Sequence, residues 1–281
     1  MKVRQLAKWQ KYSTRGAKIG PCNICGRTSV LSEDHIPPKG AIRVTQVEIH
    51  HLAQTLGVDR PTGRGRLSQD GVKFRTLCAD CNNNRLGAKF DPALIQFTNA
   101  VALALNATAT PLSISVPVVP QRLMRAVVGH LLAFGIRQPS GPFENAMAAY
   151  FLDESLSLPA DVKLYYWLYP YRQQILIRDC ALLHLAAQTP IAIKVMKYFP
   201  LGFLLNWKQP PQYSFKLNDL SRFGHTSIDA VHDAVVDLNT RTPQLFPEAP
   251  LIKEVLVMYG QEALSATEYT RSLPTLTGQP V

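Results

Sequence analysis

Acidic residues are scarce at the start of this chain. Residues 1–100 carry 7 Asp/Glu against 16 Lys/Arg, whereas residues 101–281 carry 13 against 14, so nearly all of the formal net charge of +10 belongs to the first third. Such a basic, acid-poor stretch draws phosphate backbones through counterion release and marks this third as the nucleic-acid-facing one. The plainer alternative is a solubilising surface. Long hydrophobic runs are also lacking. No apolar stretch follows the opening Met-Lys-Val-Arg, and the most apolar candidate, Val101 to Val119, is interrupted by Asn106, Thr108, Thr110, Pro111, Ser113, Ser115 and Pro117. Neither a secretory leader nor a membrane-spanning helix is expected. The opening up to Lys18 is basic and acid-free like a transit peptide, but the first cysteine motif at Cys22 leaves little room for removal, so a cytoplasmic protein with no membrane partner is the simpler expectation. Repeats and low-complexity tracts are missing too. With 46% hydrophobic and 18% charged residues, the composition excludes a disordered chain and favours a globular one.

Cysteine is rare but placed with a pattern. Four of the five cysteines form two C-x-x-C pairs, Cys22/Cys25 and Cys78/Cys81, while Cys180 stands alone in a largely apolar run and reads as an inert core residue. Two such pairs can enclose one tetrahedral zinc, each short turn aiming two sulfurs at a common point. The 52 residues between the pairs exceed what a compact zinc ribbon holds, so the metal would staple a larger unit. Residues 57–71 are rich in turn formers and read as a basic loop carrying Arg60, Arg64 and Arg66. Asp91-Pro92 reads as an N-cap and first-turn proline opening a helix to about Leu105. Further helices are expected over Pro120 to Phe134 and Phe143 to Phe151. Strands are expected over Lys163 to Leu168, Gln173 to Ile177 and Ile191 to Trp207, and a loose tail from Thr270. The fold class expected is α+β, with a domain boundary near residue 95: a zinc-stapled domain at 1–95 and, at 96–281, an α+β domain with a mostly antiparallel sheet.

Glu33-Asp34-His35-Ile36-Pro37-Pro38 begins eight residues after Cys25, and Asn82-Asn83-Asn84-Arg85-Leu86-Gly87 follows Cys81 directly. Knuckle, spacer, Asp-His-Ile-Pro, loop, Leu-Cys-x-x-Cys-Asn and a short helix together resemble the HNH (ββα-metal) endonucleases. The second half, from Gly71 to Asn82, is similar to endonuclease VII-like members. The resemblance covers about a quarter to a third of the chain. It implies metal-dependent hydrolysis of phosphodiester bonds in DNA, RNA being left open, with His35 as general base. Asp34 and Asn82 would be oxygen ligands of Mg²⁺ or Mn²⁺, and Cys22, Cys25, Cys78 and Cys81 would hold structural zinc. A histidine suits the base role because its ordinary pKa of about 6.5 leaves much of it neutral near neutrality.

On a helix starting near Ala79, Arg85 falls on the face of Asn82 and could grip the phosphate, whereas Asn83 is turned about 100° away. Gly87 is expected to end that helix. If the Asp34 segment is a strand, Asp34 and His35 point to opposite faces, and the family's bend is needed for both to serve one site. Lys73 stands near the place where many family members carry an asparagine. The expectation for residues 96–281 is a sensor, oligomerisation or partner-docking role, as in nucleases directed against phages or mobile elements. His50 and His51 read as packing or surface residues; His130, His184, His225 and His232 have no partner legible in the sequence. The competing reading is a zinc-stapled nucleic-acid-binding protein without catalysis, in which Asp34 and His35 are structural.

Overall fold

The computed structural model describes residues 11–56, 63–109, 111–184, 190–210, 215–239, 242–248, 254–258 and 263–269. Arg60 and the tail from Thr270 lie outside them. The chain is a mixed α+β protein whose strands pair antiparallel throughout the named sheets. Strands β1 (Ile19–Pro21) and β2 (Thr28–His35) form a hairpin; β3 (Val47–His51) and β4 (Arg66–Ser68) follow, and β5 (Lys73–Cys78) returns beside β2. A bulge interrupts the β2–β5 register between Ser32 and Glu33, after which Asp34 faces Phe74 and His35 faces Lys73.

Directly after β5 the chain enters a helix over Asp80–Phe90 in which the bonding is wider than α, and this continues without a break into α1 (Asp91–Leu105). Gly87 therefore does not end the helix. The wide turns have a cause in Pro92: proline has no N–H to return and its ring crowds the carbonyl four residues back. The Asp91 N–H correspondingly reaches back five residues to the Leu86 carbonyl. Nor is Asp91 an N-cap: its side chain bonds no helix N–H and turns inward instead.

Strand β6 (Ser113–Val118) leads to α2 (Pro120–Ala133) and α3 (Pro142–Leu152), both with proline in the first turn where its missing N–H costs nothing. A helix buried on every side must lie at the centre of a fold, and α2 does: residues 120–133 are buried except Arg122. Gly129 permits this, since a Cβ there would come within 2.7 Å of Leu86 and Phe151 carbons. Buried Arg125 on it donates through Nη1 and Nη2 to Gln121, Asp153, Glu154 and Leu156 and lies over the Tyr150 ring.

The remaining strands are β7 (Val162–Leu168), β8 (Gln174–His184), β9 (Pro190–Tyr198), β10 (Leu201–Trp207), β11 (Asn218–Asp219), β12 (His232–Asp237), β13 (Glu254–Met258) and β14 (Ala263–Glu268). The run Ile191 to Trp207 is thus two strands turning at Phe199-Pro200. Most of them build one nine-stranded sheet in the order β11-β7-β10-β9-β8-β14-β3-β4, with β13 on the far half of β8; β6 and β12 form a separate pair. Strands β3 and β4 come from the first 95 residues yet pair into this sheet through β14. Position 95 itself lies inside α1, and one buried cluster runs from Tyr12 to Ala266. No helix among the described residues is long and apolar enough to cross a membrane.

Candidate functional site

The Cys22–Cys25 knuckle is the loop of the β1–β2 hairpin, tightened by Gly26 N–H to Cys22 O and by Cys22 N–H to Arg27 O. Cys78 ends β5 and Cys81 lies in the first turn of the following helix. All four sulfurs lie within 4.8 Å of one another, and Cys25 Sγ to Cys78 Sγ is 3.8 Å. Tetrahedral ligands about 2.3 Å from a zinc ion would stand about 3.8 Å apart, so the cluster could hold a metal such as zinc. Electrostatics point the same way. The hydrogen bond from Cys81 brings the Cys22 thiol down to about 4. That same bond, burial and the neighbouring thiolates push Cys81 up. Four sulfurs this close ionise together only around a cation.

Beyond the bulge, pleating sends Asp34 and His35 to opposite faces of β2. His35 ends the strand on the outer face, with Nε2 3.3 Å from Asp70 Oδ2. Asp70, on the turn between β4 and β5, also meets Lys39 Nζ at 3.6 Å and Lys73 Nζ at 3.4 Å. Lys73 and Arg15 contact Glu33 at 3.2 and 3.1 Å. Lys39, Lys73 and Arg15 thus pair with two carboxylates, with Arg66 and Arg75 near Glu33, so cations outnumber anions here. Burial, reinforced by Lys39 and Lys73, outweighs Asp70 and holds the His35 imidazole below its ordinary range.

Asp34 points inward. Its Oδ2 lies 3.0 Å from His130 Nδ1, and His130 Nε2 lies 3.0 Å from Asp91 Oδ1, so one buried imidazole of α2 joins the end of β2 to the start of α1. Burial alone would depress His130, but Asp34 and Asp91 overcome it and push it up to about 10. Burial pushes Asp34 up, its proximity to His130 notwithstanding. Asn82 is buried and Asn83 exposed, in line with their angular separation on the helix. Asn82 Nδ2 donates to Ser32 Oγ at 2.9 Å and Glu33 O at 3.1 Å. Ser32 and Asp34 are two residues apart on β2, so Asn82 and Asp34 both approach the inner face of this strand. Each offers a side-chain oxygen of the kind a hard divalent cation takes. Arg85 is engaged elsewhere: Nη1 donates to Leu152 O at 2.7 Å, satisfying the last turn of α3, and Nε to Asp80 Oδ2 at 3.3 Å.

Other contacts here were not legible in the sequence. Asn23, between the two knuckle cysteines, donates to Leu132 O and Gly135 O at the end of α2, and Thr76 donates to Ala133 O. The knuckle, β5 and β2 are all docked on this one helix. Of the other histidines, His50 and His51 are buried on β3, His225 is exposed and His232 lies against Phe223; Cys180 is buried. A separate cavity, lined by Phe143, Glu144, Arg178, Cys180 and Lys194 among others, shares no residue with this region. No family model, curated protein or solved structure matches the chain, so the reading of the site rests on its own residues.

Proposed function

We propose that the chain is a metal-dependent endonuclease of the HNH (ββα-metal) kind, hydrolysing phosphodiester bonds in DNA. The observation that carries the reading is His35: held below its ordinary pKa range, backed by a carboxylate and flanked by Lys39 and Lys73, at the end of a β2–β5 pair that meets the following helix at four converging cysteines. With Nε2–H donated to Asp70, the basic nitrogen is Nδ1. Nδ1 takes the proton of an attacking water; the new P–O bond forms as the phosphodiester oxygen leaves and is protonated by solvent. The lysines draw the phosphate in, a role that falls to them because Arg85 is occupied by Leu152 O. Asp34 and Asn82 are the residues that would hold Mg²⁺ or Mn²⁺; with Nδ2 donating twice, Asn82 has its Oδ1 to offer. That cation, when bound, supplies positive charge against the pentavalent phosphate.

Plasmid and branched-DNA cleavage by the zinc-loaded chain with Mg²⁺ or Mn²⁺ tests the reading. His35→Ala should lower the rate by about 100-fold or more, the usual worth of a general base. An intact substrate, or cleavage that survives His35→Ala, overturns it. A non-catalytic nucleic-acid-binding protein is the second reading, favoured by one observation: Asp34 and His35 lie on opposite faces, with Asp34 already bonded to His130. It predicts DNA binding without a saturable Mn²⁺ site.

A further inference from the structure

Resting on the endonuclease reading, we infer that His130 is a positioning residue that holds Asp34 in place as a cation ligand, with Asp91 as its own anchor. Asp34 Oδ2 meets His130 Nδ1 and Asp91 Oδ1 meets His130 Nε2, each at 3.0 Å, and the imidazole is wholly buried. A ring bonded at both nitrogens can neither flip nor tilt. The carboxylate it engages is therefore fixed in orientation, with Oδ1 as the oxygen left for a metal. Metal-binding carboxylates owe much of their affinity to partners of this kind.

The arrangement also assigns work to the second part of the chain: α2, outside the motif that resembles a nuclease, completes the site by holding its ligand.

The experiment is a Mn²⁺ titration of the full-length, zinc-loaded chain by calorimetry, for the wild type and two conservative variants. An asparagine amide can occupy the place of Nδ1 and a glutamine amide that of Nε2. His130→Asn thus keeps a donor to Asp34, and His130→Gln keeps one to Asp91. The expected result is Mn²⁺ affinity within about threefold of wild type for His130→Asn and a loss of about tenfold or more for His130→Gln. Equal affinities in the two variants overturn the assignment, because a strut without a positioning role lowers both melting temperatures without separating the two dissociation constants. A wild type that keeps zinc but binds no Mn²⁺ overturns the endonuclease reading itself, a distinct outcome. Should the variants not fold, a Mn²⁺-soaked crystal of the wild type decides: Asp34 Oδ1 on the ion with Oδ2 still at His130 supports the assignment. An ion without Asp34, or Asp34 turned away from His130, overturns it.

Discussion

His50 shows what one buried titratable side chain does to the stability of the whole chain. It lies on β3 with Nε2 3.4 Å from Glu48 Oε1, and burial, helped by His51, outweighs Glu48 and holds it below the ordinary histidine range. The unfolded chain therefore binds a proton at His50 before the folded chain does. Stability due to this residue is present above the unfolded value of about 6.5 and falls as the pH drops below it. His50→Gln should flatten that part of the curve: between about pH 7 and pH 5 its urea midpoint should fall less than that of the wild type. Equal falls would show that His50 does not contribute to acid sensitivity. At the same scale, His130 looked like an isolated histidine in the sequence because its partners, Asp34 and Asp91, lie 96 and 39 residues away. Asn23 was hidden for a similar reason: nothing local marks an asparagine that caps a helix more than a hundred residues on.

At the scale of elements, the β1–β2 knuckle, β5 and the helix from Asp80 meet at four sulfurs, and little else ties the knuckle to the helix start beyond Arg27 near Asp80. A metal here should be a fold-stabilising part. We expect one zinc per chain by elemental analysis. Stripping it with a chelator, or Cys25→Ser, should cost about 3 kcal/mol or more and lower the melting midpoint by roughly 10 °C. An unchanged midpoint after verified zinc loss would refute a structural role. The apolar period located α2 and α3 to within a residue or two, because an apolar stripe is a local signal. Capping and stop rules failed at Gly87 and Asp91. Glycine is a stop signal only where the chain needs a left-handed residue, and here the helix runs on through wide turns that absorb Pro92.

At the scale of the molecule, the first 95 residues and the rest share one sheet and one core. Strand β3 pairs with β14, and α2 with the turn after it supplies His130 and the carbonyls of Leu132, Ala133 and Gly135 to the cysteine hairpin and β5. A fragment ending at Leu105 would leave Asp34, Asn23 and Thr76 without these partners and would open the apolar faces that bury Leu86, Phe90 and Phe97. Each orphaned buried polar group costs about 1–3 kcal/mol, against a total stability of about 5–15 kcal/mol for an ordinary domain. Such a fragment should show no cooperative thermal transition by circular dichroism even with zinc present. A fragment that melts cooperatively and cleaves DNA like the full chain would show the opposite, an autonomous first domain.

The cysteine spacing, by itself, determined that four thiols converge, and the uneven charge determined that the convergence lies in the basic third. The α+β class and the antiparallel strands were legible from local periodicity and turn residues. These properties depend on neighbours a few residues apart, where the backbone already fixes direction. What only the tertiary structure decided is which long-range partners the site residues take: His35 with Asp70, Asp34 with His130, Asn82 with Ser32 and the Glu33 carbonyl, Arg85 with Leu152. Those pairings are set by how β2, β5 and α2 stack. Stacking is a property of complementary buried surfaces drawn from distant parts of the chain, and no window of sequence contains it.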